Sequence, residues 1–122
     1  MEIQKVKDVV VFKLTGDDLS EPRAVQRLLE SLLKVDGEKK FVADMTAVES
    51  IYSLQIGTLV TMHVLCYENV AIMKLAGVCP KVRNILRIVG LETLMEMHHG
   101  AEIAAESFGT TPPPKPPAKP QS

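Results

Sequence analysis

Apolar residues along this chain follow two alternating spacings, one suited to strands and one to helices. Ile3 and Val6 open a short strand, and Lys7 and Asp8 interrupt it. The β-branched run at 9–14 supplies a hairpin partner that ends before Gly16, Asp17 and Asp18. Ser20 is placed to cap a helix starting at Glu21, with Pro22 early enough to leave no internal donor missing. Val25, Leu28, Leu29 and Leu32 then form one stripe, until Asp36 and Gly37 end it. Residues 41–44 read as a buried strand, followed by a loop through Ser50. A second helix is predicted over 53–67, with Ile56, Leu59, Val60 and Val64 facing inward. A strand at 70–76 is released by Gly77, and Pro80 opens a third helix. Its stripe is Val82, Ile85, Leu86 and Val89, and Gly90 stops it. A short strand at 94–97, a turn at His98, His99 and Gly100, and a last helix at 101–108 complete the reading. Strands alternating with helices imply an α/β fold built from βα units with a mixed, largely parallel sheet, and the first hairpin supplies its antiparallel edge.

Composition divides the chain. Of eight prolines, six lie within 112–122, where Lys115 and Lys119 are the only charges. Residues 1–108 are expected to form one domain and residues 109–122 a disordered, proline-rich tail, whose Pro-x-x-Pro spacing suits polyproline-binding grooves. The 122 residues carry a formal charge of −1. Without the two tail lysines, twelve cations face fifteen anions, which leaves the domain near −3. That balance disfavours nucleic-acid binding and a polybasic membrane clamp. Aromatic residues at 4%, without Trp, leave little for stacking platforms. Two cysteines, no secretory leader and no apolar stretch of membrane-spanning length lead to the expectation of a cytoplasmic protein.

Catalytic and ligand-binding signatures are sparse. No glycine-rich phosphate loop is present, so a nucleotide-dependent enzyme has no anchor. His63 and Cys66 lie three apart on one helix, and His98 and His99 add imidazoles, but a zinc site needs three or four converging ligands. Cys79 precedes Pro80 at a helix start without an evident base, and Asp17, Asp18 and Asp44 read as loop or strand-end residues. The expectation is therefore no enzyme, no metal and no cofactor. Ser53 differs from these. It stands at the entrance of the second helix, where unpaired amides and the positive dipole end lie. It reads either as an N-cap, with Ser50 as competitor, or as a phosphoacceptor whose phosphate would rest on those amides.

Two segments bear on that choice. Val42-Ala43-Asp44-Met45-Thr46-Ala47-Val48-Glu49-Ser50-Ile51-Tyr52-Ser53 resembles the strand and loop of STAS domains, the fold of bacterial anti-sigma factor antagonists. Pro80-Lys81-Val82-Arg83-Asn84-Ile85-Leu86-Arg87-Ile88-Val89-Gly90-Leu91 is similar to that family's Pro-x-Val-x-x-x-Leu-x-x-x-Gly-Leu. The departure falls at the family's Asp-Ser-Ser/Thr-Gly, where this chain has Tyr52, Ser53, Leu54 and Gln55. The first hydroxyl survives as Ser53, while the acid, the second hydroxyl and the glycine are lost.

The resemblance implies a regulatory module whose unphosphorylated form binds an anti-sigma factor, a serine kinase of the histidine-kinase-like ATPase type, and frees the sigma factor. Ser53 is then the candidate phosphoacceptor, and Tyr52, Ser53, Leu54, Gln55 and Thr58 the partner-binding residues. The alternative it implies is a docking subunit, without phosphorylation, in a signalling scaffold or a lipid-transport ABC complex. A monomer or weak dimer is expected.

Overall fold

The computed structural model describes residues 1–109, and of the segment read as a tail only Gly109 falls within them, while residues 110–122 lie outside. Strands β1 (Glu2–Val6) and β2 (Val9–Lys13) form the hairpin. Helices α1 (Gly16–Leu19) and α2 (Pro22–Lys34) lead to β3 (Lys40–Asp44). Helix α3 (Ser53–Glu68) connects β3 to β4 (Ile72–Ala76), and α4 (Pro80–Ile88) connects β4 to β5 (Met97–His98). Helix α5 (Ala101–Ser107) follows. The sheet order is β1-β2-β3-β4-β5, antiparallel between β1 and β2 and parallel elsewhere. This is the α/β fold with a mixed, largely parallel sheet that the spacing predicts.

Period-two alternation sorts the strand side chains into two cores. Val10, Phe12, Phe41, Ala43, Met73 and Leu75 point toward α2, α3 and α4, which contribute Leu29, Leu59 and Leu86 among others. Phe12 and Phe41 stack across the β2–β3 pair with ring centroids 5.7 Å apart. The other face carries Val9, Val11, Val42 and Ala76, packed against Ala104, Ala105 and Phe108 of α5 and its C-cap. Lys74 also points to that second face and is fully buried (0% exposed). Its ammonium hydrogen-bonds Ser107 Oγ at 2.7 Å, pairs with Glu96 at 3.3 Å and lies 4.3 Å from the centre of the Phe108 ring.

Four expectations are corrected. Helix α1 was not anticipated, although Thr15 and Asp18 form a capping pair that starts it. Thr15 N–H donates to Asp18 Oδ2 at 2.9 Å, and Asp18 N–H donates to Thr15 Oγ1 at 3.2 Å. Ser20 consequently ends α1, its hydroxyl bound to Gly16 O, and Glu21 occupies the N-cap of α2. The buried face of α3 is Gln55, Thr58, Leu59, Met62 and Cys66, with Ile56 and Val60 half-buried and Val64 exposed. Packing against both α1 and α2 sets that face, because α1 offers backbone carbonyls that polar side chains can satisfy. The last strand is the two residues Met97–His98, since Gly90, at φ +85°, leads directly into a 3-10 turn at Leu91–Thr93.

The α1 cap carries a pH signature. Burial raises the pKa of Asp18, but hydrogen bonds from Thr15, together with the Met1 ammonium 3.5 Å away, outweigh it and hold the carboxyl below its ordinary range. A carboxyl depressed in the folded state contributes stability above its unfolded pKa, about 3.9, and loses it as pH falls through the lower folded value. Asp18→Asn is expected to cost about 1 kcal/mol near neutral pH. In thermal denaturation the gap to the unaltered protein should close in acid, and a gap that widens there would refute the assignment.

Candidate functional site

The C-terminal ends of β2, β3 and β4 feed three loops toward the start of α3, the edge of a parallel sheet where α/β folds usually place their sites. After β3, Asp44 Oδ1 accepts from the Thr46 amide at 3.0 Å and from its hydroxyl at 2.6 Å, which turns the chain sharply away from the strand. Gly77, at φ +66°, lies against that turn, and a Cβ there would fall 2.3 Å from Thr46 Oγ1. Only glycine meets both the backbone and the spacing demand. Cys79, the N-cap of α4, directs its thiol at the carbonyls of Val48 and Glu49, 3.7 and 3.8 Å away. The β3–α3 loop is thus tied to the β4–α4 loop.

Helix α3 starts one residue earlier than a serine cap would place it. Tyr52 is the N-cap, Ser53 is the first helical residue, and neither Ser53 nor Ser50 caps the helix. The first intrahelical bond runs from Ile56 N–H to Tyr52 O at 2.9 Å, so the amides of Ser53 and Leu54 precede the helical ladder. Tyr52 (67% exposed), Ser53 and Leu54 (56% exposed) present a hydroxyl flanked by two large apolar side chains.

Gln55 and Thr58, grouped with these three by sequence, lie beneath them. Gln55 is 8% exposed and Thr58 2%. Gln55 Oε1 accepts from Tyr52 N–H at 2.9 Å, and its Nε2 donates to Gly16 O at 3.0 Å and Ser20 Oγ at 3.2 Å. Thr58 Oγ1 donates to Leu19 O at 2.7 Å and is 3.1 Å from Leu54 O. Both bind the entrance of α3 to α1, so they position the exposed trio and offer a visiting protein no surface of their own. The contributions of Gly16, Leu19 and Gly77 to this framework escape sequence reading, because backbone carbonyls and a close approach across loops leave no spacing signal. The Thr15-x-x-Asp18 pattern was the one available clue to α1.

The remaining candidates do not converge. Cys66 is buried in the core, and burial pushes its thiol up to about 12, so it is protonated and inert at neutral pH. His63 packs beside Tyr67 with ring centroids 6.5 Å apart, and its pKa is lowered by burial. His98 binds Glu96, and His99 is exposed. Among the described residues no group of three His, Cys, Asp or Glu side chains is arranged to hold a metal. Nor is any helix among them long and apolar enough to cross a membrane.

The same fold occurs in several solved structures. A chain of the stressosome, a signal integration and transduction hub, superposes with a TM-score of 0.77 at 22% identity, covering 89% of this chain and 96% of that one. An anti-sigma-factor antagonist (STAS) domain protein from Planctomyces limnophilus gives 0.74 at 15% identity, with 88% and 97% covered. The Bacillus cell-fate determinant SpoIIAA in its phosphorylated form gives 0.68 at 13% identity, also with 88% and 97% covered. No curated protein sequence matches. The STAS domain model matches residues 1–104, every strand and most of α5 included, and with that match the chain belongs to the STAS domain family.

Proposed function

We propose that this protein is an anti-sigma factor antagonist that docks through Tyr52, Ser53 and Leu54 on an anti-sigma factor of the histidine-kinase-like ATPase type. In its unphosphorylated form it occupies that partner and frees the sigma factor. The observation that carries the reading is the exposed Ser53 hydroxyl on the first turn of α3, between two exposed apolar side chains. Tyr52 and Leu54 supply contact area that is released from water on docking. A phosphate on Ser53 lies within reach of the first-turn amides, where the helix favours negative charge, so the modified domain stays folded. The same phosphate would have to be desolvated at the centre of the contact, which opposes docking.

The test is reconstitution with the purified anti-sigma ATPase. Transfer of the ATP γ-phosphate to Ser53 Oγ with release of ADP, loss of the complex on transfer, and no labelling of Ser53→Ala are expected. A complex that forms equally well with ATP present and carries no phosphate would replace this reading with the second one, constitutive docking in a scaffold or a lipid-transport ABC complex. The apolar character that Tyr52 and Leu54 give the surface favours that reading.

A further inference from the structure

Strand β1 is an outer strand of the sheet. Among the described residues it pairs only with β2, and residues 2–5 are exposed. Val6 and Val9 flank the two-residue turn Lys7–Asp8, so this pair exchanges both of its main-chain hydrogen bonds across the hairpin. Gln4 with Val11 and Glu2 with Lys13 do the same by alternation. Ile3 and Lys5, between them, therefore turn their N–H and C=O groups to the open edge. Charged side chains usually guard such an edge, but here they are engaged within the chain. Lys5 Nζ donates to Glu38 Oε1 at 2.6 Å, and Glu2 lies 3.5 Å from Lys13 Nζ. Ile3 is left 43% exposed.

We propose that β1 pairs antiparallel with β1 of a second copy and joins two five-stranded sheets into one. Hydrogen-bond parity and charge select the register. Outward residues must oppose outward residues, so the two-fold axis can pass through Ile3, Gln4 or Lys5. Centring on Lys5 sets the two lysines against each other and draws Lys7, at φ +57°, into the pairing. Centring on Ile3 leaves only one outward pair within β1. Centring on Gln4 opposes Ile3 to Lys5 of the second copy twice, which gives four main-chain bonds and no like charges opposite each other within β1. Ile3 then packs on the aliphatic stem of that lysine, and the two Gln4 amides meet at the axis. Beyond the strands, Lys7 falls opposite Met1 of the second copy, whose ammonium is held 3.5 Å from Asp18 of its own chain. Because the two β1 strands run in opposite directions, the entrances of α3 lie at opposite ends of the joined sheet. Where the docking role of Ser53 holds, one dimer offers two such surfaces at once, but the pairing itself does not depend on that role.

Sedimentation of the full-length chain tests the pairing. A concentration-dependent equilibrium between monomer and dimer is expected, and it should be lost in Ile3→Pro. The N–H that proline removes there points away from β2, so the hairpin ladder stays intact and the melting temperature in dilute solution should be unchanged. A dimer retained in Ile3→Pro, or a monomer at every concentration of the unaltered chain, would overturn the proposal. Cysteine cross-linking in a Cys79→Ser background, where the remaining Cys66 is buried, reads the register without relying on proline. Opposed Gln4 residues form a non-hydrogen-bonded pair with Cα atoms about 4.5 Å apart, within disulfide reach. Gln4→Cys should link to itself under mild oxidation, whereas Ile3→Cys and Lys5→Cys should link only when the two variants are mixed. Self-linking of Ile3→Cys with none at Gln4→Cys would overturn the register. No anti-sigma factor is present in these experiments, so their outcome is separate from that of Ser53 docking.

Discussion

Ser53→Glu is expected to weaken the proposed docking on an anti-sigma factor severely while leaving the domain as stable as before, or slightly more so. The two effects separate because the residue stands on the first turn of α3. An added carboxylate there meets the positive end of the helix and gains about 0.3–1 kcal/mol in the isolated domain. In the complex the same charge loses its water beside Tyr52 and Leu54, the exposed apolar flanks of the site. Near-complete switching takes about 5 kcal/mol of differential affinity, which a doubly charged phosphate is suited to supply. A single carboxylate should supply at least half of that, a loss of roughly 100-fold in affinity. Ser53→Ala should bind as the unaltered protein does. Calorimetric titration gives the affinities and thermal denaturation the stabilities. Equal affinity of Ser53→Glu and Ser53→Ala would eliminate the switch, whereas a parallel loss of melting temperature would mean that the substitution acts by unfolding.

The second large effect lies on the opposite face. Lys74→Ala removes a fully buried side chain whose stem fills the seam between β4 and α5, and should cost about 2–5 kcal/mol, as other large-to-alanine changes in cores do. For a domain of this size that corresponds to a fall in melting temperature of roughly 10–20 °C. Lys74→Met retains most of the volume and gives up the charge and the hydrogen bond to Ser107, whose hydroxyl keeps Ala104 O as a partner. Glu96 is largely exposed and can return to water, so no carboxylate is stranded in the interior. Methionine is therefore expected to cost within about 1.5 kcal/mol. Hydrogen exchange should show residues 104–108 opening in the alanine variant and staying protected in the methionine one. Equal losses in both variants would show that the contacts of the ammonium with Ser107 and Phe108, and not the packing of the stem, hold α5 down.

These two regions also mark what could be read in the amino-acid order. The β-branched run at 9–13 and the stripe of α2 announce themselves, because burial on one side of a regular element leaves a period. So does the stripe of α4 apart from Val89, which is the exposed C-cap of that helix and not part of its buried face. Gly77 and Gly90 mark element ends for an equally local reason, their positive φ. The site was legible only in outline. Sequence located the entrance of α3 and the exposed Ser53, but it grouped Gln55 and Thr58 with the surface although both turn inward. Their partners are carbonyls of Gly16 and Leu19, nearly forty residues away in sequence, and main-chain groups carry no identity in a one-letter code. Val64 misled for the opposite reason: its apolar side chain fits the helical period, yet α1 and α2 fix the rotation of α3 and leave it exposed. Lys74 inside an apolar strand passed unremarked in the sequence reading, and only the position of α5 explains it.

Strands that neighbour one another in the sheet are also consecutive along the chain, from β1 through β5. Each pairing therefore closes a loop between elements already adjacent in translation order, which keeps the entropic cost of every step low. A chain leaving the ribosome can build the sheet edge by edge as it emerges, each strand templated by the one before. Helix α5 is the exception, because Ala104, Ala105 and Phe108 must reach back across β2, β3 and β4. Until α5 is synthesised, Val9, Val11 and Val42 lack its cover, so the nascent protein is most vulnerable to aggregation just before that helix is made.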